Sequence, residues 1–205
     1  MEKITSLCHS VVENQIAEVI RMTTLNEWFD KGLTEEEYKN SMTTHKENME
    51  NVAKQFSLPE DQEFFSSLAA RNIRALVLTE DWCGDAMMNN PVLLALANES
   101  NIKVRFLLRD SNLELMDRYL TNGTARSIPI FIFIDEDGSE IGKWGPRAQK
   151  VQEFVDESKS TLPAKEDPAF KTGQELLFKQ LTAAYQERED FWLAVYEELK
   201  AVLKN

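Results

Sequence analysis

The strongest constraint on how this chain can fold is Ile130-Phe131-Ile132-Phe133-Ile134, five consecutive apolar residues that are all β-branched or aromatic. A short continuous run of this kind suits a buried strand. Asp137-Gly138 follows it, and that turn chemistry predicts a hairpin into a second strand over Glu140–Trp144. Upstream, Ile73-Arg74-Ala75-Leu76-Val77-Leu78 has the same character, and Ile102 to Leu108 makes a further strand. Between these runs the reading is helical. Asp85 to Ala97 is one helix, with Pro91 expected to kink it. Asn112 to Leu120 is another, with Leu113, Met116 and Leu120 inward. The order strand, helix, strand, helix, strand, strand points to an α/β sheet.

The flanks read as helices. Ile4, Leu7, Val11, Val12, Ile16, Val19 and Ile20 recur at three- and four-residue steps and give one apolar face. Thr34-Glu35-Glu36-Glu37 is a capping box that opens a charged helix running toward Gln55. Ser57-Leu58-Pro59-Glu60 starts a shorter helix. After Pro146 the chain is helical again, and one long helix runs from about Gln174 onward, with Leu177, Leu181, Tyr185, Trp192, Val195, Leu199 and Val202 as its stripe. No internal repeat interrupts this plan. The expectation is one domain over 1–205, with a helical extension over 1–71, a core over 72–160 and a second helical extension over 161–205.

Composition narrows the function. Of 205 residues, 42% are hydrophobic and 28% charged, too apolar for a disordered chain. Lys and Arg number 23 against 35 Asp and Glu, a net charge of −12 that repels nucleic acid and anionic lipid. No uncharged apolar run reaches the ~20 residues of a membrane helix. The first twenty residues lack the apolar core of a secretory signal. Two cysteines cannot build a disulfide framework and fit a reducing compartment. The expected location is cytoplasmic. His9 and His45 suggest no metal site, and neither a phosphate-cradling Gly-rich loop nor a Gly-x-Ser-x-Gly elbow occurs, so no metal or cofactor is expected.

The chemistry-bearing segment is Glu80-Asp81-Trp82-Cys83-Gly84-Asp85-Ala86, where a strand runs into Trp-Cys and a helix begins just after. Unpaired N–H groups and the positive end of the helix dipole stabilise a thiolate there. Glu80, Asp81 and Asp85 oppose this, so a modest lowering of the Cys83 pKa is expected. Cys8, beside Val11 and Val12, reads as a buried structural cysteine, or as a resolving thiol if it lies within ~7 Å of Cys83 between Cα atoms.

This junction, together with Ser127-Ile128-Pro129-Ile130-Phe131, resembles the thioredoxin superfamily, the second segment matching its cis-proline loop. With Lys143-Trp144-Gly145-Pro146-Arg147 the chain is similar to a bacterial branch of uncharacterised thioredoxin-like proteins. The resemblance spans about 72–157 and implies a thioredoxin-like α/β fold, a mixed sheet flanked by helices. It implies Cys83 as nucleophile, with Trp82, Gly84, Asp85, Ile128 and Pro129 as substrate contacts. Ala86 stands where the superfamily has its resolving cysteine, so no disulfide can close within the motif. What remains is a monothiol mechanism acting on protein or small-molecule disulfides, with a low-molecular-weight thiol as partner. The alternative is an inactive module that holds an extended peptide. Asp85 reads as an early-helix carboxylate complementing the dipole. Trp144 to Arg147 turns the chain, or Arg147 places a cation near a bound anion.

Overall fold

A computed structural model describes residues 23–204. Its elements are α1 (Leu25–Lys31), α2 (Glu35–Ser41), α3 (Lys46–Gln55), α4 (Gln62–Ala69), β1 (Arg74–Thr79), α5 (Gly84–Glu99), β2 (Lys103–Leu108), α6 (Leu113–Met116), β3 (Ile130–Ile134), β4 (Glu140–Trp144), α7 (Gln149–Ser160), α8 (Phe170–Glu187) and α9 (Glu189–Leu203). The sheet order is β2-β1-β3-β4, with β1 and β2 parallel and the other neighbours antiparallel. This is the mixed sheet expected. β3 is buried along its whole length, and β1 from Ala75 onward.

Strand alternation splits the core into two layers. Ala75, Val77, Phe131 and Phe133 face one side, where α5 and α9 cover them. Leu76, Leu78, Ile130, Ile132 and Ile134 face the other, against Leu25, Trp28 and Phe29 of α1 and against Cys83 and Ala86. Cys83 and Ala86 therefore reach across to the layer opposite the rest of α5, because they sit at the helix end that emerges from the sheet. The hairpin forms as expected, with Gly138 at a φ of +87°.

Four boundaries differ from the sequence reading. The helix expected from Thr34 to Gln55 is two helices. Its capping box at Thr34 and Glu37 is present, but the backbone N–H groups of Thr43 and Thr44 turn out to donate to Asp81 Oδ2 at 2.7 and 2.9 Å. The carboxylate next to the Trp-Cys junction satisfies what a helix would otherwise pair. α4 starts at Gln62, three residues after Pro59. As expected, one helix, α5, runs through Pro91; its residues 85–94 are all buried, so neighbouring packing supports the turn that the missing N–H weakens.

The helix expected over Asn112–Leu120 shrinks to α6. Leu115, Met116 and Tyr119 point inward, whereas Leu113 is exposed. The long final helix breaks at Arg188 into α8 and α9. Arg188 pairs with Asp190, and its guanidinium lies 3.9 Å from the Phe191 ring centroid. Trp192 Nε1 donates to Tyr185 O at 2.9 Å, capping a carbonyl the break leaves free. The break redirects the apolar stripe, so α9 covers the sheet while α8 lies beside Cys83. The apolar stripe read over Ile4 to Ile20, like Cys8 and His9, falls outside the described residues.

Candidate thiol site

β1 ends at Thr79, and Cys83 is the N-cap of α5 with φ −83° and ψ 116°. Its Sγ donates to the Ile128 carbonyl oxygen at 3.4 Å. The backbone N–H groups of Ala86 and Asp85, in the first turn of α5, favour a thiolate. They do not prevail. Cys83 is only 8% exposed, and burial, reinforced by the Asp85 carboxylate, pushes its pKa up to about 11. This corrects the expected lowering: the helix end supplies the donors, but the sulfur sits in an apolar layer where ionisation loses its solvation.

Asp85 is buried and receives a two-pronged contact from Arg147, Nε to Oδ1 at 2.5 Å and Nη2 to Oδ2 at 2.7 Å. Tyr185 donates its hydroxyl to Asp85 Oδ1 at 2.8 Å, and Arg147 Nη1 donates to Gln152 Oε1 at 2.9 Å. Burial works against the charge of Arg147, but the carboxylate outweighs it and holds the guanidinium above its ordinary pKa. Burial and Asp85 likewise push the Tyr185 hydroxyl up. Asp85 therefore does more than complement a dipole: it joins α5, the β4–α7 loop and α8. The guanidinium fork of Arg147, read from sequence as a turn residue or an anion contact, is engaged within the protein.

The other expected site residues divide in two. Trp82 is 46% exposed, with the Arg109 guanidinium 4.8 Å from its ring centroid. Gly84 faces the Tyr185 ring, at ordinary contact distance for an added Cβ. Ile128 and Pro129 are buried, and the peptide bond between them is cis. Gly145 presses on this loop: at φ +128°, a Cβ there would lie 2.2 Å from Pro129 O, so only glycine fits. Ala86 is buried in the same cluster as Cys83.

A cleft of about 790 Å³ opens beside Cys83, bounded by Trp82, Asp85 and Arg147 on one side and by Val155, Phe178, Leu181 and Tyr185 on the other. The α8 wall was not foreseen, since that stripe reads in sequence only as core. His45 lines the cleft as well, although it reads in sequence as a helix residue remote from the motif. It precedes α3 at φ 55°, with Nδ1 3.0 Å from Asn48 Nδ2. No cluster of three or more His, Cys, Asp or Glu side chains that could hold a metal occurs among the described residues. No helix among them is long and apolar enough to cross a membrane.

The fold has close counterparts. A Pseudomonas aeruginosa protein of unknown function, known from a crystal structure, superposes with a TM-score of 0.64 at 19% identity, over 89% of this chain and 98% of that one. An HIV epitope-scaffold superposes with a TM-score of 0.63 at 18% identity, over the same shares. Both likenesses extend well beyond the core expected from sequence. No curated protein matches the chain. The family model described as Thioredoxin matches residues 32–160, which takes in α2 to α4 ahead of the sheet as well as the strands and the Cys83 turn. The chain belongs to the thioredoxin family.

Proposed function

We propose that this chain is a thioredoxin-fold monothiol protein, exchanging disulfides or removing small thiols from proteins through Cys83. The observation that carries this reading is the position of the sulfur. It lies at the start of α5, beside the backbone N–H groups of the first turn, in the wall of a cleft. Donors so placed stabilise sulfur as it takes on negative charge. Ala86, where a resolving thiol would stand, leaves the work to one cysteine.

The Cys83 thiol loses its proton and its sulfur attacks one sulfur of a protein–S–S–R disulfide. The Cys83–S–S–R bond forms, the protein S–S bond breaks, and the departing protein thiolate takes up a proton. A second R–S⁻ attacks the adduct, releases R–S–S–R and restores the Cys83 thiolate. The small thiol is the only co-reactant. In this reading the flanking helices belong to one thioredoxin-like unit working in a reducing compartment, and α8 shapes access to the sulfur.

The burial of the thiol and its hydrogen bond to Ile128 favour a second reading, a module that binds a partner without turnover. Intact mass separates the two. Reduced Cys8→Ser protein is mixed with a model protein carrying a small-thiol mixed disulfide, beside the Cys8→Ser/Cys83→Ser variant. The exchange reading expects the small thiol to appear only on the protein that retains Cys83. It also expects a rate rising about tenfold per pH unit up to about pH 11, where half the sulfurs are ionised. No gain of mass between pH 7 and 10, while free small thiols in the same tube exchange, leaves the binding module.

A further inference from the structure

We infer that the cleft between the Cys83 turn and α8 is a binding site for a small organic anion with an apolar body. This rests on the exchange reading above for its chemistry: the anion is the R group of the disulfide that reaches Cys83. A volume of about 790 Å³ is that of a small-molecule site. Its apolar surface is unusual for this protein. Phe178 is 58% exposed and Trp82 46%, two large rings that line the cleft together with the buried Leu181. Large apolar side chains held in water beside a cavity mark a recognition surface.

The charge of the cleft selects the ligand. The chain carries −12 overall, yet Lys159 of α7 and Lys179 of α8 line this cleft, both exposed and outside the ion pairs found among the described residues. The one carboxylate that lines it, Asp85, is matched by Arg147 and Tyr185. Two free ammonium groups over an apolar wall, with the acid already neutralised, fit a carboxylate attached to an aromatic or aliphatic body. An acidic protein repels anions at long range, so a preference for one has to arise locally. Ile128 and Pro129 do not line the cleft, so the ligand is held by α8 and not by strand pairing at the cis-proline loop.

The test uses two aromatic disulfides, the dianion 5,5′-dithiobis(2-nitrobenzoate) and the neutral 4,4′-dithiodipyridine. Binding is read first, by calorimetry, in the full chain carrying Cys8→Ser and Cys83→Ser, where no thiol can react. The dianion is expected to bind one-to-one and saturably, the neutral compound more weakly. Lys159→Glu/Lys179→Glu is expected to weaken the dianion by about tenfold or more, since two attractive charges become repulsive. Equal affinity for both compounds, or dianion binding indifferent to the charge reversal, overturns the site.

Reaction is read second, in the Cys8→Ser protein, with rates normalised to those of a free small thiol. Saturating kinetics with the dianion support the site and the exchange reading together. Charge-dependent binding with no reaction upholds the site and overturns the exchange reading. Reaction with both compounds at their intrinsic rates, without saturation, upholds exchange and overturns the site.

Discussion

Two carboxylate–guanidinium pairs in this molecule share one geometry and differ in almost everything else. Arg147 meets Asp85 through Nε and Nη2, and Arg126 meets Asp117 through the same two atoms, at 2.6 and 2.9 Å. The first pair spans 62 residues and keeps only 22% and 11% of its side-chain surface, whereas the second spans 9 and keeps 47% and 48%. Water competes for the exposed pair and screens it, so the hydrogen bonds from Arg126 lower the pKa of Asp117 without tying distant elements together. The buried pair meets far less of that competition. It fixes the start of the Cys83 helix to the β4–α7 loop and, through Tyr185, to α8. Within it, Asp85 helps keep the neighbouring thiol protonated, and Arg147 works weakly against that. Burial, and not the contact, decides what a salt bridge does in this protein.

Removing Arg147 is expected to have the largest effect. Arg147→Met strands the Asp85 carboxylate in a buried site, and we expect a loss of about 3 kcal/mol, read from urea unfolding. Asp85→Asn in the same protein should recover much of it, because the loss arises from the unpaired charge. If the double variant is no better than the single one, packing by the arginine stem explains the loss instead.

Tyr185→Phe removes one donor from the same carboxylate. The expected cost is about 1.5 kcal/mol, typical of a hydrogen bond to a charged group. Since the tyrosine also anchors α8, alkylation of Cys83 in a Cys8→Ser background should speed up. An unchanged rate would mean that α8 does not depend on this contact to stay over the thiol.

Arg126→Ala is the smallest change. The urea midpoint is expected to stay where it is, since the exposed pair exchanges its partner for water at little net loss. A clear shift of the midpoint would contradict the contrast drawn here and would assign structural weight to the Asp117–Arg126 staple.

Much of this was legible from residue order alone. The runs at residues 73–78 and 130–134 announced their strands because apolar β-branched and aromatic residues with no polar face have to be buried. Asp137-Gly138 announced the hairpin because glycine readily takes the positive φ that the turn needs. Cys83 could be placed at a helix N-terminus for the same local reason. The helix breaks at residues 42–45 and at Arg188 were not legible. Both depend on partners distant in sequence or on packing, Asp81 in the first case and the Phe154 and Phe191 rings in the second.

Residue order is thus enough for the strands, the Cys83–helix junction, the missing resolving thiol and the acidic balance, because each follows from local backbone preference or from counting. Tertiary structure alone decided the state of the thiol and the shape of its surroundings. Whether a cysteine at a helix end is ionised depends on how much water reaches it and which charges lie near, and here an apolar layer and Asp85 settle that. Likewise the pairing of Asp85 with Arg147, the approach of His45, and the cleft wall built by α8 depend on three-dimensional closure between residues far apart in the chain. Sequence periodicity reports which side of a helix is buried, but not which neighbour buries it.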